Sequence, residues 1–338
     1  MFTQISHSKQ RQQGFTLLEL LVVISLLGLL ALSATALVEN VGEQDRFEAT
    51  RSRLAQIRTA IIGDTSRTLN GEPMLSGYVA DMGRLPINLQ ELVEIGVSQP
   101  AWGPIALNTV SGVSVGVTGE IYGGWRGPYL PSTPEIDSVS VSGSRTFRDG
   151  WGTATSAVQP NDYGWVVTKT PAIEPFVTIK VQSLGADGIA GGTDYDADYP
   201  NTGSPTADNL VNSSDWQLDL SAASFNVEFN QATIQTDLEL RVYFFENAGV
   251  EEEISNSFSL GVSGVSGVMP NPPVSIAGPL TLPMGRYAAV VMCTQGTPTL
   301  NDDVVYDGDC IAPATHQPYY FTLLPSSYLP IKITWNTP

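Results

Sequence analysis

Four aspartates crowd one short stretch of this 338-residue chain, with no lysine or arginine among them: Asp187, Asp194, Asp196 and Asp198. Carboxylates at this spacing repel one another unless water or a cation separates them. Glycines at positions 185, 188, 191 and 192 allow sharp turns that present carbonyl oxygens. Flexible sets of hard oxygen ligands suit Ca²⁺ better than Mg²⁺ or Zn²⁺. The pattern predicts either a calcium loop or an exposed acidic loop.

One carboxylate interrupts the apolar stretch from Phe15 to Val38. These 24 residues carry a single charge, Glu19. As a helix they would be about 36 Å long, enough to cross a hydrocarbon core of roughly 30 Å. A carboxylate at membrane depth is costly and indicates a function that involves a partner. Lys9 and Arg11 precede the stretch, which predicts a cytoplasmic amino end and places the rest of the chain outside.

Two simpler interpretations compete for this segment. Ala34-Thr35-Ala36 resembles the cleavage site of a secretory signal peptide. However, the apolar segment exceeds the roughly 7–15 residues usual in such peptides. A plain membrane anchor would leave Glu19 unexplained.

The remaining chemistry-bearing residues are few. Cys293 and Cys310 lie 17 positions apart and predict either a disulfide, formed in an oxidising compartment, or two buried thiols. The stretch 112–116 satisfies G-x-S-x-G, but it lies in a strand-like Val/Gly segment, and the only downstream histidine is His316. An EF-hand is excluded, because Tyr199 stands in place of its glycine and Pro205 in place of its glutamate. We therefore expect no enzyme and no catalytic residues.

Composition limits the partners. The chain has 34 acidic and 16 basic residues, a net charge of −18, which repels phosphate backbones, so we expect no nucleic-acid partner. A hydrophobic content of 42% with 15% charged residues is typical of globular proteins.

Helical spacing extends beyond the apolar stretch. A stripe of apolar residues predicts that the helix continues to about residue 62, where Gly63 ends it: Phe47, Leu54, Ile57 and Ile61. A second helix is predicted from the capping residue Asn88 to Gly96, with Glu91 three positions after the cap. Stretches 110–119 and 138–144 predict strands.

The last 130 residues have a β pattern. Alternating apolar residues mark strands at 238–244 and 331–335, and 286–292 and 319–324 predict buried strands. A β-sandwich of about seven strands is the predicted arrangement. Four aspartates between the cysteines indicate a solvated acidic loop or a second cation site: Asp302, Asp303, Asp307 and Asp309.

The run Gly14-Phe15-Thr16-Leu17-Leu18-Glu19 resembles the prepilin peptidase site of type IV pilins and pseudopilins, and the resemblance covers residues 12–38. It implies cleavage after Gly14 and N-methylation of Phe15. It also implies that Glu19 pairs with the Phe15 amine of a neighbouring subunit during assembly.

Three later stretches resemble the major pseudopilin of type II secretion: Trp125-Arg126-Gly127-Pro128-Tyr129-Leu130, Asp149-Gly150-Trp151-Gly152 and Ser183-Leu184-Gly185-Ala186-Asp187-Gly188. This resemblance implies one structural Ca²⁺. Its ligands would be the carboxylates of Asp187 and Asp194, the backbone oxygens of Leu184 and Ile189, and either Asp196 or Asp198.

The expected protein is an α+β inner-membrane subunit of a secretion pseudopilus or type IV pilus-like filament. We expect a leader (1–14), a transmembrane and assembly helix (15–62), a pilin-like antiparallel head with a calcium loop (63–207) and an all-β sandwich (208–338). Prepilin peptidase and other pilin or pseudopilin subunits are the expected partners. The alternative is a minor or tip pilin whose carboxyl-terminal domain binds a surface, a glycan or a secreted protein.

Overall fold

A computed structural model describes the chain over residues 16–64, 66–69, 72–107, 117–131, 133–134, 145–152, 160–204, 206–220, 225–230, 235–260, 274–276, 281–294, 303–311 and 316–337. Within these ranges the side chains of residues 32–40, 69, 72–73, 133–134, 145–146 and 160 are not described. The leader with Gly14 and Phe15, the G-x-S-x-G stretch and the predicted strand at 138–144 lie outside the described residues.

The first element is a single helix, α1 (Leu17–Ile62). Thr16 caps its start, since its hydroxyl accepts a hydrogen bond from the Glu19 N–H at 3.2 Å. Gly63 ends it with φ 76°, and the Gly63 N–H bonds the Thr59 carbonyl. The predicted extent of the helix is thereby confirmed.

The two halves of α1 have different surroundings. Leu54, Ile57 and Ile61 of the predicted stripe are buried in the head, whereas the large apolar side chains from Leu17 to Leu30 are exposed. No helix in the described part of the chain, which leaves out the side chains of residues 32–40, is long and apolar enough to cross a membrane.

The head follows α1 as short elements around one core. Its helices and strands are β1 (Thr68–Leu69), β2 (Glu72–Pro73), α2 (Tyr78–Met82), a 3₁₀ helix (Leu89–Leu92), β3 (Gly103–Ala106), β4 (Glu120–Gly123), β5 (Thr133–Pro134), β6 (Arg145–Thr146), β7 (Val166–Thr170) and β8 (Thr178–Gln182). The pairs β1–β2, β3–β4, β5–β6 and β7–β8 are antiparallel. Their core includes the buried face of α1 and Trp165.

The helix predicted from Asn88 to Gly96 is shorter than expected. Asn88 does cap it, accepting the Glu91 N–H at 3.2 Å, but only one 3₁₀ turn forms. The Glu91 carboxylate points into the head and binds Arg84, so the segment is fixed by a buried ion pair. The preceding α2 was not predicted.

The carboxyl-terminal region is built on one six-stranded sheet. Its elements are α3 (Ser213–Trp216), β9 (Gln217–Asp219), β10 (Phe225–Phe229), β11 (Gln235–Glu246), β12 (Gly249–Ile254), β13 (Phe258–Leu260), β14 (Thr281–Pro283), β15 (Gly285–Cys293), β16 (Val304–Val305), β17 (Tyr319–Leu323) and β18 (Ile331–Trp335). The sheet runs β12–β11–β15–β16, with β13 on β11 and β17 on β15, all antiparallel. The α+β class is confirmed, whereas a sandwich of two facing sheets stays a prediction.

Both faces of the central strands are covered. Consecutive residues from Arg241 to Phe245 in β11, and from Tyr287 to Cys293 in β15, are buried. The strands β10 and β18 pair in parallel and contribute to the core on one face. The head elements α2 and β4 contact β11 and β15. The head and the sheet are thus packed against each other.

A disulfide joins Cys293 at the end of β15 to Cys310. Within the loop that it closes, Asp303 is buried and forms an ion pair with Arg241, which is fully buried. Glu239 and Glu252 lie 3.7 Å from the same guanidinium. The interpretation of this aspartate as part of a solvated acidic loop was wrong, because a buried arginine needs a carboxylate partner.

Candidate assembly and metal-binding sites

Glu19 lies in the first turn of α1 among exposed apolar residues. Leu17 and Leu18 beside it are 81% and 75% exposed. The helix begins immediately after its cap, Thr16, which separates the predicted cleavage point from the helical part. One carboxylate on an apolar surface attracts a cation strongly when that surface leaves water, because the dielectric constant falls.

The Asp149–Gly152 segment packs on α1 between Arg46 and Arg53. The Arg53 guanidinium donates to the backbone carbonyls of Arg148 and Asp149. The Gly150 N–H donates to the Thr50 hydroxyl at 3.0 Å. A Cβ on Gly150 would lie 2.0 Å from the Arg46 carbonyl oxygen, so only glycine permits this approach.

The same segment holds the acidic loop. The Ser183 hydroxyl donates to the Asp149 carboxylate, which also accepts the Gly152 N–H. Backbone hydrogen bonds between Ser183 and Tyr199 close the base of the loop. Two of the stretches that resemble the pseudopilin therefore meet in space, although they are more than thirty residues apart in sequence.

Aromatic contacts fix the loop to α1. The Phe47 ring lies 4.9 Å from that of Tyr199 and 6.3 Å from that of Tyr195, in both cases edge to face. The Trp151 ring lies 6.0 Å from Tyr195 on another side. Phe47, predicted as part of the buried helical stripe, is half-buried and serves this contact.

The loop itself is tightly wound. The backbone carbonyl of Asp196 lies so close to Gly185 and Gly192 that a Cβ on either would approach it within 2.6 Å. Asp187 is exposed and accepts the Ile189 N–H at 2.9 Å, and Asp194 has φ 55°. These contacts give the stretch a defined backbone conformation.

The predicted metal ligands differ in solvent exposure. Asp194 and Asp196 are exposed, as is Ile189, whereas Leu184 is half-buried. No group of three Asp, Glu, His or Cys side chains that could hold a metal ion occurs within the described ranges. One feature does favour a cation: the buried Oδ1 of Asp198 has no hydrogen-bond partner. The calcium site stays a prediction.

The Trp125–Leu130 stretch contributes to two buried ionic clusters that the sequence did not reveal. In the first, the Glu91 carboxylate accepts from Arg84, from the Tyr78 hydroxyl at 2.6 Å and from the Ile87 N–H at 2.9 Å. The Trp125 indole N–H donates to the Glu91 carbonyl at 2.7 Å.

In the second cluster, the fully buried Asp81 carboxylate binds Arg126 at 3.1 Å and Arg286 at 3.3 Å. The Tyr129 hydroxyl donates to it at 3.1 Å. Burial raises the pKa of Asp81, and the two guanidinium groups oppose that rise. The second cluster joins segments far apart in sequence, whereas Arg84 and Glu91 of the first are seven positions apart.

His316 packs against an aromatic ring and backbone carbonyl groups. Its ring stacks on that of Trp335 at 4.1 Å, and both ring nitrogens lie beside backbone carbonyls, those of Gln317 and Asn336. The serine of the G-x-S-x-G stretch lies outside the described residues.

Comparison with known proteins identifies the amino terminus. Residues 9–35 match the family model of the prokaryotic N-terminal methylation motif. A search of curated proteins and a search of solved structures each found no match. The motif implies processing by prepilin peptidase and anchoring in the inner membrane, and proteins that carry it are generally structural rather than enzymatic. The chain therefore has the amino terminus of a type IV pilin-like prepilin.

Proposed function

We propose that this protein is a structural subunit of a type II secretion pseudopilus or a related type IV pilus-like filament. Prepilin peptidase cleaves after Gly14, the new terminus at Phe15 is methylated, and α1 anchors the subunit with its amino end at the cytoplasmic face. The head and the carboxyl-terminal sheet lie in the periplasm or in the filament.

The observation that supports this proposal best is the division of α1. Its carboxyl end, from Leu54 to Ile62, contributes to the head core, whereas its large apolar side chains from Leu17 to Leu30 are exposed. A helical surface of this size needs a cover, because exposed apolar patches in soluble proteins rarely exceed a few hundred Å². A bilayer covers it before assembly, and the α1 helices of neighbouring subunits cover it afterwards.

Glu19 supplies the specificity of that second step. The Phe15 amine released by cleavage is positively charged, and a low dielectric strengthens its attraction to the carboxylate of the next subunit. Only one axial offset between two helices brings the two charges together, so the pair sets the register.

The acidic loop gives the proposal a second component, a structural Ca²⁺. The unpartnered Oδ1 atom favours Asp198 over Asp196 as a ligand, beside Asp187, Asp194 and the backbone oxygens of Leu184 and Ile189. Calcium would neutralise the carboxylates and hold the loop against α1. Its binding free energy would then add to folding stability.

Calcium binding is tested by calorimetric titration and thermal melting of the purified full-length chain, with and without a chelator. We expect chelation to lower the melting temperature, Asp198→Asn to weaken Ca²⁺ binding at least tenfold and the matched control Asp196→Asn to change it little. An unchanged melting temperature on chelation would refute the structural metal.

Assembly is tested with Glu19→Ala in the native organism. We expect the variant to reach the membrane and to be cleaved, but to be absent from sheared filaments. The matched control Glu43→Ala, on the same helix beyond the apolar stretch, should assemble normally. Normal polymerisation of Glu19→Ala would overturn the proposed pairing. Copy number along the filament separates a major subunit from the alternative, a minor or tip subunit.

A further inference from the structure

An open groove of about 630 Å³ lies between β4 and β17, and residues of β15 also line it. We call it the β4–β17 groove. Its volume falls within the roughly 300–1,000 Å³ of sites that hold small ligands. The groove lies far along the chain from α1, and neither cleavage nor helix packing uses it.

Two tyrosines offer exposed rings on opposite walls of the groove. Tyr122 from β4 is 47% exposed and Tyr320 from β17 is 50% exposed. The Trp102 ring packs beside that of Tyr122, with a distance of 6.1 Å between the ring centroids. A tyrosine of this kind presents an apolar face together with a hydroxyl group. A sugar ring has the complementary shape, with an apolar C–H face and a hydroxylated rim.

The walls are fixed relative to each other. The Glu120 N–H of β4 donates to the Tyr320 hydroxyl at 3.2 Å. A Cβ on Gly119 would lie 2.7 Å from the same hydroxyl, so glycine at this position leaves room for the Tyr320 side chain. The groove is therefore formed before any ligand arrives, which lowers the entropic cost of binding.

Two opposite charges line the groove, the guanidinium of Arg286 and the exposed carboxylate of Glu120. Arg126 and Arg286 share a single buried carboxylate, Asp81, which leaves one positive charge in excess within this cluster. Both guanidinium groups lie over the Trp102 ring, at 4.9 and 4.8 Å from its centroid. Burial lowers the pKa of Arg286, and repulsion by Arg126 lowers it further, against the opposing effect of Asp81. A carboxylate from a ligand would give Arg286 a second anionic partner.

We propose that the β4–β17 groove binds an acidic carbohydrate of the oligo-uronate type. The sugar rings pack on Tyr122 and Tyr320, and one carboxylate pairs with Arg286, which lines the groove. Two further residues of the lining bind hydroxyl groups: the Glu120 carboxylate accepts hydrogen bonds, and the Gln317 amide accepts and donates them.

An acidic peptide fits the same groove less well. The exposed Glu120 carboxylate can accept hydrogen bonds from sugar hydroxyl groups, which a tetraglutamate peptide lacks. The Glu120 N–H is already bonded to Tyr320, so a peptide strand entering between the walls would meet an occupied donor. These two features favour the carbohydrate.

The test is calorimetric titration of the full-length chain in detergent with three probes: tetragalacturonate, its methyl ester and a tetraglutamate peptide. We expect tetragalacturonate to bind about tenfold more tightly than the ester, because only the acid carries a carboxylate that can form a bidentate ion pair with Arg286. Added salt should reduce this difference.

Variants assign the binding to the groove. Tyr122→Ala should weaken binding of acid and ester alike by several-fold, whereas Arg286→Gln should abolish the difference between them. Matched controls are Tyr328→Ala, at a tyrosine 95% exposed outside the lining, and Lys332→Gln, which removes an exposed cation. Both controls should bind like the unaltered chain.

Four results would overturn the proposal. They are the absence of binding to either sugar, equal binding of acid and ester, binding of tetraglutamate as tight as that of tetragalacturonate, and a loss in Tyr328→Ala equal to that in Tyr122→Ala. Should Arg286→Gln fail to fold, the acid–ester comparison and Tyr122→Ala still decide the outcome. The proposal does not depend on filament assembly.

Discussion

Removal of the Glu91 carboxylate should destabilise the head strongly. Its side chain and that of Arg84 are only about a tenth exposed, and the carboxylate accepts from both terminal nitrogens of the guanidinium, at 3.0 and 3.1 Å. It also accepts from the Tyr78 hydroxyl, whose pKa is raised by burial, so that the phenol remains a donor. Glu91→Ala leaves all these donors without their acceptor.

Glu91→Ala should lower the free energy of unfolding by about 3–5 kcal/mol, which is the cost of removing one partner of a buried ion pair. Glu91→Gln keeps an acceptor oxygen but loses the charge, so we expect about 1.5–3 kcal/mol. In Arg84→Met/Glu91→Leu both charges are replaced by apolar groups, and at least half of the loss should be recovered. Glu94→Ala, an exposed position one turn away, should change stability by less than about 0.5 kcal/mol.

Hydrogen exchange, measured by mass spectrometry on the full-length chain, resolves this region from the rest. Because each 1.4 kcal/mol is a factor of ten, Glu91→Ala should reduce the protection of peptides covering residues 78–93 by roughly 10²- to 4 × 10³-fold. Protection within threefold of the unaltered chain would refute the assignment of the pair as the main stabilising contact of this segment.

Three further predictions follow from single contacts. Gly150→Ala places a methyl group against a backbone carbonyl of α1 and should lower the free energy of unfolding, measured by thermal melting, by about 1–3 kcal/mol. Gly249→Ala, with open space around the added methyl group, should be tolerated. Equal effects of the two substitutions would contradict the close contact at Gly150. Reduction of Cys293–Cys310 should cost about 3 kcal/mol, and a reductant should have no effect on the double serine variant. Burial, and then repulsion by two glutamates of β12, raises the pKa of Glu246 in the folded protein above its ordinary 4.5. The ionised carboxylate therefore destabilises the fold increasingly as the pH rises through the folded-state pKa. Glu246→Gln should raise the melting temperature more at pH 8 than at pH 4, and the reverse pH dependence would contradict the direction of this pKa shift.

The parts of the fold that the sequence predicted are those set by local patterns. The helix α1 has an apolar run, a stripe at helical spacing and a glycine stop, all within fifty residues, and its extent was predicted well. The cap at Asn88 was also predicted, because capping depends on a residue three positions away. By contrast, α2 has five residues, too few to show a period.

Two of the buried ion pairs could not be predicted because their partners are remote in sequence. Arg241 meets Asp303 across 62 positions, and Arg286 meets Asp81 across 205. A charged residue in a sequence is by default assigned to solvent, since burial without a partner is costly. Only the folded chain shows that the partner exists. For the same reason the sequence did not indicate that Asp303 is buried. No sequence pattern indicated the β4–β17 groove.

The central claim is that the mature chain begins at Phe15, two residues before the start of α1, and that this new terminus joins subunits together. Mass spectrometry of the amino-terminal peptide, from the chain extracted from its native membrane, tests it most directly. The account predicts a first residue of N-methylated Phe15. An intact Met1, or a start at Leu37 after the Ala34-Thr35-Ala36 site, would contradict it.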